Sequence, residues 1–256
     1  MNEIGKEFEE LVKIVSRLRH PDGCPWDRDQ TSQSLIPFLI EEIYELIESI
    51  DEENWETVKE ELGDVILHIV FQASIAEDNQ QFKLEEVLKT VNEKLVKRHP
   101  HVFNLDQAVI SGDINKEWEI SKHKDKGRKS RLDGVPKNLP SIIKAQRLQQ
   151  KASLAGFDWN KIELVWKKIH EEILELKEAQ YQKNNDHIEE EIGDVLFSIV
   201  NLSRFLDISA DNALRRTNRK FINRFKNVEE GIKAKGKEME DATLEEMDVI
   251  WNESKK

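Results

Sequence analysis

Carboxylates recur at helical spacing in two parts of this chain, each time at the edge of a run apolar enough to build a core. Residues 41–45 read EEIYE and 61–64 read ELGD, while 171–175 read EEILE and 191–194 read EIGD. Residues three and four apart share a helix face, so Glu42 and Glu45 project side by side, as do Glu61 and Asp64. Glu172 with Glu175 and Glu191 with Asp194 repeat the arrangement. Like charges so placed repel by roughly 0.2–0.5 kcal/mol per pair on a wet helix and by more at a buried seam. Something has to neutralise them. Two facing helices with two carboxylates each form an oxygen-lined cage, which suits hard divalent cations such as Mg²⁺ or Mn²⁺.

An acidic chain also produces this spacing by chance on a solvated face. Two observations weigh against chance. Nineteen residues separate Glu42 from Glu61 and Glu172 from Glu191, so the helix-to-helix geometry is duplicated along with the composition. Gly63 and Gly193 also sit between the two acids of their segments, inside helical patterns where glycine costs roughly 1 kcal/mol relative to alanine. Close approach of a neighbouring helix would explain that cost. Zinc suits the chain poorly, because Cys24 stands alone and His99 and His101 lack further ligands at structural-site spacing. His68, one turn after Asp64, reads as a packed or supporting histidine, with Ser198 at the matching place.

The elements that must position these acids follow from the same repeat. Glu41, Glu42, Glu45, Glu61, Gly63 and Asp64 recur 130 positions later without a gap, GCPWD at 23–27 is echoed by GFDWN at 156–160, and Lys94 and Arg98 by Lys220 and Arg224. A unit of that length is a duplicated domain, not a solenoid repeat. Apolar residues recur at helical period in FEELVKIVSRL, LIEEIYELIESI, VILHIVFQASIA and LEEVLKTVNEKL, which predicts about four helices per copy. Between the copies, KHKDKGRKSRLDGVPKNLP carries charge, Gly and Pro with no apolar period, and reads as a solvated linker or a basic arm. The expected organisation is a repeat over 1–118, a linker over 119–138, a repeat over 139–256, and a last helix in LEEMDVIWNES.

Lys220 and Arg224 share a helix face and could hold phosphate, or could form a solvated stripe. Lys168, one turn before Glu172, could also reach phosphate, and the first copy has Phe38 in its place. Trp26, Trp118, Trp159 and Trp251 could stack a base or simply pack.

Composition narrows the classes. With 38% hydrophobic and 35% charged residues, 10 Gly and 6 Pro, the 256-residue chain reads as soluble and all-α, with few strands or none. Its 51 acidic and 39 basic residues give a net charge of -12, which disfavours nucleic acid as a partner. Neither a membrane-spanning run nor a signal pattern is expected, and the cytoplasm is the default address.

Taken together, EEIYE with ELGD, EEILE with EIGD, GCPWD, RHPHVF and GFDW resemble the MazG family of nucleoside triphosphate pyrophosphohydrolases, in its two-repeat form, over nearly the whole chain. The resemblance implies an all-α fold and a homodimer whose paired helices complete a four-helix metal-binding core. It implies Mg²⁺-dependent cleavage of nucleoside triphosphates between the α- and β-phosphates. It puts the metal ligands at Glu172, Glu175, Glu191 and Asp194, with Glu42, Glu45, Glu61 and Asp64 as the matching set. It assigns hydrolysis chiefly to the second repeat and nucleotide contact to Lys168, Lys220, Arg224 and Trp251. It extends the phosphate contacts to His187, although close relatives are expected to carry lysine there. With water as the nucleophile, Glu171 or Glu190, each beside a ligand position, could take its proton. No glycine-rich P-loop is present. The rival readings are a non-catalytic helical protein whose acids hold structural cations or a partner, and a nucleotide hydrolase that releases orthophosphate.

Overall fold

The computed structural model describes residues 2–103 and 129–255, and among these every regular element is helical. The chain divides into two compact units, Met1–Ser111 and Gly112–Lys256. Residues 119–128 of the 119–138 segment read as a linker, and Trp118, lie outside the described residues.

The first unit contains α1 (Glu3–Arg19), the short α2 (Pro25–Arg28), α3 (Ile36–Asp51), α4 (Trp55–Asp78), α5 (Leu84–Arg98) and the single turn α6 (Pro100–Phe103). Local chemistry sets the helix starts. Asn2 accepts from the Gly5 N–H and Asn54 from that of Thr57, which satisfies donors the helices leave open. Only residues 52–54 separate α3 from α4, so the two pack as an antiparallel pair. α1 and α5 flank α4. Val15, Leu35, Val70, Phe71 and Ile75 form the buried cluster that ties α1 to α4.

The second unit repeats the plan with α7 (Ser141–Leu154), α8 (Ile162–Gln182), α9 (Asn185–Phe205), α10 (Ala210–Ala234) and α11 (Leu244–Glu253). Lys183 ends α8 in the left-handed conformation at φ 56°, and Asn184 caps α9 through the His187 N–H, so α8 and α9 turn back on one another within two residues. α7 packs on α9 and α10, and α11 packs on α10. The apolar cluster here is smaller: Val165, Ile169 and Leu202. The expected four helices per copy and the closing helix are all present.

Both helix pairs leave apolar side chains in solvent beside their acids. Ile43, Leu62, Ile66 and Ile69 are exposed in the first unit, and Leu174, Ile192, Leu196 and Ile199 in the second. Two helices alone cannot bury every apolar residue that such patterns supply. The glycines are not explained by close approach within the chain. A Cβ at Gly63 or Gly193 would meet nothing within 4 Å, which corrects the expectation drawn from their position. Among the described residues no helix is long and apolar enough to cross a membrane.

Candidate active site

In the second unit α8 supplies Glu172 and Glu175 and α9 supplies Glu191, and one carboxylate oxygen from each lies within 4.8 Å of the others. Glu172 and Glu191 are buried, while Glu175 is exposed. Glu191 Oε2 is buried without a hydrogen-bond partner. Glu175 is held above the usual carboxylate range, first by a hydrogen bond with Glu172 and then by burial. Three acids that crowd their charge against one another, with a buried oxygen unsatisfied, fit a hard divalent cation. Asp194, one turn after Glu191, stands outside this tight set and lines the adjoining cavity with Glu172.

One cation from the chain already answers the charge. Lys168 Nζ lies 2.6 Å from Glu171 Oε1 and 2.9 Å from Glu172 Oε1. These bonds, Glu171's before Glu172's, hold the Lys168 ammonium well above its ordinary range. Lys168 is therefore charged at any physiological pH. His187, expected from sequence at a phosphate, has its Nε2 3.0 Å from Glu191 Oε1, one turn along its own helix. Glu190 is exposed, and Glu171 is engaged by Lys168.

The first unit gathers Glu42, Glu45 and Glu61 within the same 4.8 Å, from α3 and α4. Its surroundings differ. Burial, followed by the charges of Asp64 and Glu45, pushes Glu42 up, and burial with Glu45 and Glu42 pushes Glu61 up. A histidine stands beside these acids: His68 Nε2 is 4.0 Å from Glu42 Oε1. Burial lowers the His68 pKa, with Asp64 opposing, so the ring is neutral near pH 7. Its Nδ1 is buried without a partner.

The other expected nucleotide contacts form a separate group. The Arg224 guanidinium sits 5.9 Å from the Trp251 ring centre, and Phe221 lies 5.1 Å from the same indole, which joins α10 to α11. Lys220 is on that helix too. None of Lys220, Arg224 and Trp251 lines the cavity that Lys168, Glu172 and Asp194 share. That cavity, about 640 Å³, lies between α7 and α9 under the 156–159 loop. Its polar wall includes Gln149, Asp158, Asn201 and Arg204, which sequence reasoning did not single out. The repeat carried no signal for them, since Phe71 stands where the second copy has Asn201.

Comparison with known proteins agrees with this duplicated geometry. A family model for the MazG nucleotide pyrophosphohydrolase domain matches twice, at residues 30–103 and 161–229. A Thermotoga maritima protein named nucleoside triphosphate pyrophosphohydrolase/pyrophosphatase MazG is 50% identical over all of this chain and 98% of its own length. An Escherichia coli nucleoside triphosphate pyrophosphohydrolase is 37% identical over 98% of this chain and 97% of its own. The Bacillus subtilis protein YabN is 44% identical over 97% of this chain, which spans 52% of that protein.

Proposed function

The chain belongs to the MazG nucleotide pyrophosphohydrolase family, and from that membership we propose that it hydrolyses nucleoside triphosphates to the monophosphate and pyrophosphate, with the second repeat as the working site. The observation that carries the assignment to one repeat is the pairing of Lys168 with Glu171 and Glu172, for which the first repeat has no counterpart. Glu172, Glu175, Glu191 and Asp194 are the proposed ligands of a divalent cation, Mg²⁺ with Mn²⁺ as a substitute. Such a cation supplies a Lewis acid to phosphate oxygens and acidity to a coordinated water.

The chain's own groups do the rest. Lys168 offers a fixed ammonium beside the ligand set, where it offsets charge on the triphosphate and releases Glu171 when phosphate displaces it. Glu171 or Glu190 accepts the proton of the attacking water. The bond from the α-phosphorus to its bridging oxygen breaks, and its electron pair leaves with pyrophosphate. His187 orients Glu191 through their 3.0 Å contact. Lys220, Arg224 and Trp251 would reach the nucleotide across a homodimer whose helix pairs cover one another's exposed apolar faces, in the four-helix core the family resemblance implies. We place the enzyme in the cytoplasm, where its substrates are made.

The first repeat is better read as a cation-holding module without turnover, since Phe38 replaces the lysine and burial with neighbouring carboxylates pushes Glu42 and Glu61 up. Incubation with Mg²⁺ and a panel of nucleoside triphosphates, followed by resolution of the products, tests the activity. Monophosphate with pyrophosphate is expected. Orthophosphate release, or metal binding without turnover, contradicts it.

A further inference from the structure

We propose that the cavity between α7 and α9 receives the base of the nucleotide, and that Gln149 reads an amino group on that base through its Oε1. This rests on the pyrophosphohydrolase reading of the adjoining acids. It adds a specificity site outside the segments that match the family model, because Gln149 and Trp159 both precede residue 161.

The cavity offers two environments in one space. Lys168, Glu172 and Asp194 border it on the cation side, whereas Leu148, Ala152, Trp159 and Phe197 contribute an apolar and aromatic wall. A nucleotide has the same division, with charge concentrated in its phosphates and a flat apolar face on its base. About 640 Å³ falls within the ~300–1,000 Å³ typical of small-molecule sites.

Gln149 gives the wall a direction. It is 7% exposed, and its Nε2 donates to the Phe197 carbonyl at 2.8 Å. That bond fixes the amide orientation, because a flip would bring two acceptors to 2.8 Å. Oε1 then remains buried with no partner among the described residues. A buried acceptor left unpaired costs about 1–3 kcal/mol, so this position calls for a donor that the ligand brings. An exocyclic amino group is such a donor. A carbonyl at the same place on the base is repelled.

The rest of the wall is held in advance. Arg204 donates to Asn201 Oδ1 at 2.9 Å and to both Asp158 oxygens at 2.9 and 2.6 Å. Ser153 Oγ donates to Asp158 Oδ2 at 2.7 Å, and the Trp159 N–H donates to Asp158 Oδ1 at 2.9 Å. Gly156, at φ +92°, makes the turn into this loop. The aromatic side of the cavity is therefore fastened to α9 by charged hydrogen bonds. The first repeat lacks the Asn201 and Arg204 side chains at the matching positions. Phe71 replaces Asn201 and lies buried in the apolar cluster with Val15, Leu35, Val70 and Ile75, and Ser74 replaces Arg204.

The test measures binding, by titration of α,β-methylene analogues of CTP, UTP, ATP and ITP into the Mg²⁺-loaded full chain, with inorganic triphosphate as the base-free probe. The wild type should favour the amino-bearing member of at least one pair, CTP over UTP or ATP over ITP, by about tenfold. Gln149→Leu should bring that ratio close to one while inorganic triphosphate binds within about twofold of wild type. Ala152→Leu, which fills the cavity and spares the acids, should weaken all four analogues by about tenfold or more and leave inorganic triphosphate in place. An unchanged ratio in Gln149→Leu overturns the proposal, as does equal weakening of nucleotides and inorganic triphosphate in both variants. Base-dependent binding without hydrolysis of ordinary triphosphates supports the base site and overturns only the pyrophosphohydrolase reading.

Discussion

In the second repeat Lys168 lies within 2.9 Å of Glu172 and a cavity opens between α7 and α9, whereas the first repeat has Phe38 in the lysine's place and Phe71 packed where the cavity's Asn201 would be. The carboxylate triads themselves are alike, each within 4.8 Å. What the difference teaches, on the proposed assignment of turnover to the second repeat, is that a cation cage alone does not make a hydrolase site. The cage needs a positive group for the phosphates and an empty space for the rest of the substrate. The first repeat has Phe38 and Phe71 at the matching positions, and its buried cluster of five residues exceeds the three of the second.

Substitutions can break this comparison or sharpen it. The largest expected contrast is between Glu172→Ala and Glu42→Ala. Removing Glu172 should lower kcat by on the order of 10³-fold, as loss of a ligand worth several kcal/mol in the transition state would. Removing Glu42 should change it by no more than about twofold, and equal losses in a pyrophosphate-release assay would end the asymmetry. Next comes Lys168→Ala, expected to lower kcat/KM by about 10²-fold, in the range for deleting one preorganised donor. A loss confined to protein stability, with kcat/KM intact, would remove Lys168 from the site.

A smaller effect tests the loop that Asp158 and Arg204 fasten to α9 in the second repeat. Burial alone would raise the Asp158 pKa, but the Arg204 and Ser153 hydrogen bonds outweigh it and hold the carboxyl below its ordinary 3.8. A carboxyl depressed in the folded state stabilises above its unfolded pKa and loses that contribution as pH falls through the folded one. Asp158→Asn should therefore lower the unfolding free energy by about 1 kcal/mol at neutral pH, a partly solvated charged hydrogen bond being worth that much. In denaturant titrations the gap should stay level down to about pH 5 and close below about pH 4. The smallest effect belongs to the glycines. With nothing within 4 Å of the missing Cβ, Gly63→Ala should stabilise the first unit by roughly 0.5–1 kcal/mol. If Gly193→Ala gains the same in unfolding yet weakens self-association, the second unit's α9 is the helix that a partner covers.

Much of this was legible in the sequence because helices write themselves at a fixed period. The acids at 42, 45, 61 and 64 and their partners 130 positions on combine that period with an unbroken repeat, so both sets of four are legible, and the structure gathers the three glutamates of each. Lys168 was legible for the opposite reason, as a place where the repeat fails. The cavity wall was not. Gln149 meets Phe197 and Arg204 meets Asp158 across 48 and 46 residues, distances over which no periodicity speaks. Phe71 and Ser74, which stand in the first copy for Asn201 and Arg204, are unrelated to them in chemistry, so the repeat was silent too. His187 shows a subtler miss: the family resemblance points it at phosphate, whereas its spacing of one helical turn pairs it with Glu191 on its own helix. The glycines mark a gap in each helix surface, and the sequence does not say whether this chain fills it; the structure shows that it does not.

The central claim is one substrate site per chain, in the second repeat. Calorimetric titration of the α,β-methylene analogue of a bound nucleoside triphosphate into the Mg²⁺-loaded protein counts those sites directly. One site per chain is predicted, lost in Glu172→Ala and kept in Glu42→Ala. Two equivalent sites per chain, or a single site that survives Glu172→Ala and disappears with Glu42→Ala, would contradict it.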